Sequence, residues 1–187
     1  MALAICGGIG LSQLRPPPPQ TPVLEWLDHP RPVAEFLLTS SAGDFSAQTL
    51  LGHWQLLALG FNHCPDLCPL TLAALVDLRQ AYTEKNLRII FVSVDPLRDT
   101  PQALANYARF FGDDIVAVTG ADTELQRLAD SLGMAFRSDG PVERRTVSHS
   151  PIIALIGPDG FLRGRLRPGF ATQQAVRELA ARIQAGT

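Results

Sequence analysis

Sulfur is scarce in this chain. Its 187 residues include three cysteines and two methionines, too few thiols for a disulfide-stapled scaffold. Charge of either sign is also thin. Asp, Glu, Lys and Arg make up 18% of the residues and leave a net charge of −2. The sequence has no basic stripe to suggest a nucleic-acid partner and no acidic block to suggest a tail. No internal repeat is present. Nor is there a hydrophobic run long enough to cross a membrane. Met1–Leu14 is uncharged but falls short of the roughly 20 apolar residues a spanning helix needs, and it lacks the basic start of a signal peptide.

What is present is a core. Apolar residues make up 46% of the chain, as expected for a folded domain and too hydrophobic for disorder. Residues 1–14 read as the remnant of a membrane anchor or signal. Cys6 is a poor lipoprotein site, because bulky Ile5 precedes it. Residues 15–32 contain seven prolines, which favour extended geometry and a semi-rigid spacer. Residues 33–187 form the folded domain.

Strands and helices alternate through that domain. Phe36–Leu38 and Phe45–Leu50 read as a hairpin around Ser41–Asp44. Trp54–Phe61 and Leu87–Val94 are apolar runs of buried-strand length. A helix over Pro69–Thr83 separates them. Thr100 caps a helix that has Pro101 in its first turn. Ile115–Val118 is a short strand, and Asp122 or Thr123 caps a helix that Gly133 ends. Ile152–Ile156 and Phe161–Leu166 form a hairpin, and Ala171–Gln184 is the last helix. This order implies an α/β domain of thioredoxin-like fold, with a mixed central sheet flanked by helices and an N-terminal hairpin.

Two of the three cysteines fall in FNHCPDLCPLT, Phe61–Thr71, between the first buried strand and its helix. Functional groups collect at such strand ends. Prolines follow both thiols and make poor core. A helix N-terminus beside them favours thiolate over thiol. Asp66 reads as the cap of that helix. A disulfide closing so small a loop gains little, which leaves a redox couple or a metal site. Among the histidines, His63 adjoins Cys64 too closely to chelate with it, His29 lies in the spacer, and His53 opens the strand at the opposite end. His149 precedes the strand Ile152–Ile156, which should neighbour the first strand. Two thiolates and an imidazole suit copper.

FNHCPDLCPLT resembles the cysteine motif of the Sco/SenC family, copper-binding assembly factors for cytochrome c oxidase. FVSVDPLRDTP at Phe91–Pro101 and VSHSPIIALIGPDG at Val147–Gly160 resemble the family's second and third signatures. The likeness runs from about Phe36 to the C-terminus. It implies copper bound by Cys64, Cys68 and His149. It also implies a domain tethered by its N-terminus on the periplasmic side of the inner membrane, with cytochrome c oxidase subunit II, or another periplasmic copper protein, as recipient. Reduction of a partner's cysteines by Cys64 and Cys68 is the alternative activity. Ser148 stands where the family often has Asp before the histidine, so Asp95 and Asp99 become candidates for orienting the imidazole. Each also has a structural reading, Asp99 as a helix cap and Asp95 as the organiser of its own turn. A thiol peroxidase is disfavoured, because Leu57 and Phe61 occupy the positions of its Pro and Thr.

Overall fold

Trp54–Gly60 (β4) is apolar apart from Gln55 and buried along its whole length, which only a strand covered on both faces allows. It runs parallel to β5 (Leu87–Ser93), which runs parallel to β6 (Ile115–Thr119). The helix α1 (Leu67–Ala81) makes the first crossover and α2 (Pro101–Arg109) the second. The structure, a computed structural model, describes residues 21–82 and 86–185.

On the other side of β4, the hairpin β9 (Ile153–Ile156) and β10 (Phe161–Leu166) runs antiparallel. The hairpin β2 (Leu37–Ser40) and β3 (Gly43–Ser46) closes the far edge against β6. With an edge strand β1 (Leu24–Pro32) beside β10, the eight strands lie in the order β1-β10-β9-β4-β5-β6-β2-β3. This is the mixed sheet expected, and the fold is thioredoxin-like.

Alternation along the strands splits the core in two. Leu56, Ala58, Ile89 and Phe91 face α1, α2 and the C-terminal helix α4 (Thr172–Ala185). Leu57, Leu59, Ile90 and Val92 face α3 (Asp122–Leu132) and the β2–β3 hairpin. Thr100 accepts a hydrogen bond from the Ala103 N–H at 3.2 Å and caps α2. Ala121, not Asp122 or Thr123, holds the N-cap position of α3, while Gly133 ends it at φ +67°.

Two elements depart from the sequence expectation. Leu24–Pro32 is an edge strand, β1, that pairs with β10. The backbone is extended as its prolines require, but it belongs to the sheet, so the folded unit starts before residue 33. Proline is tolerated there because an edge strand leaves one side of its backbone unpaired. Glu178 accepts hydrogen bonds from the Val23 and Leu24 N–H groups at 3.1 and 2.9 Å, and Trp26 packs on Trp54. Residues 1–20, with the expected anchor remnant and the start of the spacer, lie outside the described residues. The second departure is a two-stranded ribbon, β7 (Phe136–Asp139) and β8 (Thr146–His149), that stands apart from the main sheet.

Register fixes which end of the sheet carries what. Leu24 pairs with Leu166, Leu166 with Ile153, and Ile153 with Ala58. The start of β1, the end of β8 and the C-terminal end of β4 therefore share one end of the molecule.

Candidate metal centre at the end of β4

Helix α1 begins at Leu67, two residues earlier than the proline pattern predicts, so Cys68 lies in its first turn. The Asp66 carboxylate makes no capping bond within the described residues. A sulfur takes that role, since the Cys68 backbone N–H donates to Cys64 Sγ at 3.3 Å. Gly60 lets the chain pass tightly beneath. A Cβ there would stand 2.3 Å from the Phe91 ring and 3.2 Å from Cys68 Sγ.

Both cysteines are free thiols in different surroundings. Cys64 is half-buried and faces a cleft of about 390 Å³ between the cysteine loop and β8. Cys68 is only 3% exposed and packs with Leu72 and Phe91 in the core. Sequence reasoning expects the helix N-terminus to lower both thiol pKa values. For Cys68 the opposite holds. Burial pushes its pKa up to about 12, with the Cys64 side chain adding to the rise and the Phe61 backbone hydrogen bond opposing it. Desolvation of a thiolate outweighs a partial dipole charge at this depth. Tyr107, in the same core, is pushed up to about 12 by its own burial and then by the charge the thiols acquire on ionisation.

His149 ends β8 and reaches the thiols as expected, with Nε2 at 3.7 Å from Cys68 Sγ. Its ring sits edge-on to Phe61, centroids 6.1 Å apart. Nδ1 lies 3.0 Å from the Ser150 carbonyl, so the proton sits on Nδ1 and Nε2 offers its lone pair to the sulfur side.

The donor set fits a soft ion. Bonds of about 2.1 Å to nitrogen and about 2.3 Å to sulfur, at an angle of about 110–120°, hold two donors about 3.6–3.8 Å apart. The Cys68–His149 spacing falls in that range. Among the described residues no three His, Cys, Asp or Glu side chains already converge as a metal cage, and Cys64 has its sulfur turned to the α1 N-terminus.

Asp95 and Asp99 are buried beside the site, but their contacts run to groups other than His149. Asp99 accepts from the Asn62 N–H at 2.8 Å and the Ser93 hydroxyl at 2.5 Å, tying the cysteine loop to the end of β5. Its other oxygen lies 3.6 Å from His63 Nδ1. Asp95 contacts Arg98 at 2.5 Å and Arg145 at 2.9 Å. The Ser150 carbonyl takes the orienting role suggested for the two aspartates. Arg145 lies outside the three motifs, and Phe61 and Ser150 lie inside them with no role that the motifs reveal. The signal for Arg145 is weak but present: Arg145, Val147 and His149 alternate, as residues on one face of a strand do.

A thioredoxin-like domain with two thiols and an imidazole at one strand end carries, by class, the donor types of a soft-metal site. The comparisons give the family. The SCO1/SenC family model matches residues 27–184, and the chain belongs to that family. A provisionally named copper-binding protein of Stutzerimonas stutzeri is 42% identical over 127 residues, covering 66% of this chain and 62% of its own length. The human mitochondrial protein SCO1 homolog is 37% identical over 133 residues, covering 67% of this chain and 44% of its own. The chain thus spans about half the length of these curated relatives. Among solved structures, apo Sco1 of Thermus thermophilus is 30% identical with a TM-score of 0.77, covering 86% of this chain and 96% of that one. Copper-bound yeast Sco1 is 26% identical with a TM-score of 0.74, covering 83% and 90%.

Proposed function

We propose that this domain is a copper chaperone that holds copper between Cys64, Cys68 and His149. Its recipient is the binuclear copper site of cytochrome c oxidase subunit II during oxidase assembly. The observation that carries this reading is the 3.7 Å between Cys68 Sγ and His149 Nε2, contributed by elements 81 residues apart in the chain. Soft thiolate sulfur with one imidazole favours the cuprous state. The cargo enters from the cleft, and Cys64 turns its sulfur from the α1 N-terminus to complete the set. Uptake releases protons, because thiolates and not thiols bind, and the high pKa of Cys68 makes affinity fall as pH drops. Release proceeds by exchange with the recipient's own thiols. The copper-binding name of the Stutzerimonas stutzeri relative and the copper in the yeast structure support this reading.

The alternative is a thiol–disulfide oxidoreductase that reduces cysteines of a periplasmic copper protein. There the half-buried Cys64 would attack and Cys68 would resolve the mixed disulfide. That chemistry gives His149 no part, although its Nε2 stands 3.7 Å from Cys68 Sγ, so delivery ranks first. Residues 1–14 would anchor the domain on the periplasmic side of the inner membrane. No helix among the described residues is long and apolar enough to cross a membrane. A tether joined at Leu24 leaves from the same end of the sheet as the cleft, which would turn the cargo site toward the membrane.

Cuprous titration against a competing chelator tests the site. The wild type takes up a single ion per chain, Cys64→Ala and Cys68→Ala lose it, and His149→Ala binds more weakly. Stoichiometric, tight binding in both cysteine variants overturns the assignment.

A further inference from the structure

His149 is carried on a ribbon that belongs to no larger sheet among the described residues, so something must hold that ribbon over the thiols. Side chains along β8 alternate. Thr146 and Ser148 face solvent, while Val147 and His149 are half-buried. Arg145, immediately before β8, falls on the inward face with them. Three residues at every second position thus meet the body of the domain. His149 meets Cys68, Val147 packs against the α3-side core, and Arg145 meets Asp95 at the end of β5.

The Arg145–Asp95 contact is an ion pair, Nε to Oδ1 at 2.9 Å without the alignment of a hydrogen bond, with the two side chains 9% and 0% exposed. The arginine also donates to the Ser138 hydroxyl at 2.5 Å and to the Gly140 carbonyl at 3.4 Å. One guanidinium therefore grips β7, the turn of the ribbon and the body together. At the other end, Ser150 and Ala135 close the ribbon base through two hydrogen bonds of 2.8 and 2.9 Å. Asp95 holds a second cation, Arg98 at 2.5 Å, so loss of Arg145 does not strand a bare buried charge.

We infer that Arg145 is a positioning residue whose ion pair with Asp95 sets the register of β8 and so holds the His149 imidazole over Cys68. The inference rests on the copper reading above, but the latch itself is a property of the metal-free protein. Because strand side chains repeat every second residue, β8 cannot shift by one position without turning His149 outward. Three inward contacts fix its register, and Arg145 supplies the ion-paired one.

Two measurements test this. The first needs no metal: amide hydrogen exchange across the ribbon in the wild type, Arg145→Met and Arg145→Lys. Arg145→Met keeps the aliphatic stem and loses the charge. Exchange across β8 should accelerate about 10-fold or more in that variant, as a local opening does, with β4 and β5 unchanged and Arg145→Lys restoring part of the protection. The second is a double-mutant cycle on cuprous affinity. Arg145→Met should weaken binding about 10-fold, the scale on which residues that orient a ligand act, and should add nothing in a His149→Ala background. Unchanged β8 exchange, or an equal loss with and without His149, overturns the latch. If His149→Ala itself leaves affinity unchanged, the copper site fails instead, and the exchange result still decides the latch.

Discussion

The two halves of the site are built in opposite ways. The cysteine half is part of the core. Cys68 lies within a cluster that includes Leu72, Leu75 and Phe91, and it follows a strand with neighbours on both sides. The histidine half is a pair of four-residue strands with half-exposed side chains, docked by one ion pair, a valine and an edge-on ring contact. A thiol in the core resists displacement and keeps water away. An imidazole on a weakly held ribbon can move without disturbing the fold. That division suits a protein that must first hold a cargo and then surrender it.

Large-to-small changes put the sharpest strain on this comparison. Phe91 is 1% exposed in the central strand, and Phe91→Ala should cost about 3–5 kcal/mol. Val147→Ala, on the ribbon, should cost less than about 1 kcal/mol. Urea denaturation monitored by circular dichroism checks both. A Val147→Ala loss as large as that of Phe91→Ala would make the ribbon part of the cooperative core and remove the contrast.

Acidity separates the halves next. Cys68 is raised to about 12 by burial, whereas in the unfolded chain a thiol titrates near 9.0. The unfolded state therefore loses its proton first as pH rises. The metal-free protein keeps this contribution below about pH 9 and loses it progressively between about 9 and 12. Tyr107, raised from 10.0 to about 12, acts in the same direction. Denaturant midpoints measured at pH 8, 9, 10 and 11 should decline, and the decline should be shallower in Cys68→Ala. A slope identical in the wild type and the variant would mean that Cys68 is more hydrated than its burial implies.

This same division explains what could be read from the sequence. The body was legible because its signals are strong and local: apolar runs for β4 and β5, a Thr-Pro cap for α2, a glycine stop for α3. The pairing of Cys64 and Cys68 at a strand end was equally plain, and the order of strands placed His149 at the same end. The ribbon was not legible. Four residues of Thr-Val-Ser-His carry too little periodicity to mark a strand, and the one ion pair that docks them joins Arg145 to a partner 50 positions earlier. The edge strand β1 was hidden for another reason. Its prolines and charges read as a spacer, and only pairing with β10 turns extended backbone into sheet. The thiol pKa shift was missed because the local helix dipole is visible in sequence, whereas burial is a property of the whole fold.

The smallest effect concerns the residue before the histidine, where the family resemblance raised the question of a missing carboxylate. Ser148 is exposed on the outward face of β8. The nitrogen such a carboxylate would serve, His149 Nδ1, already faces the Ser150 carbonyl at 3.0 Å. A side chain at position 148 points away from that nitrogen, because neighbours on a strand face opposite sides. Ser148→Asp and Ser148→Ala should therefore change stability by less than about 0.5 kcal/mol and leave cuprous affinity within about twofold of the wild type. Chelator competition on the two variants decides the matter. A marked gain in affinity for Ser148→Asp alone would mean that the ribbon twists on loading, so that the imidazole exchanges the backbone carbonyl for a carboxylate and the docked position of β8 is only one of two it occupies.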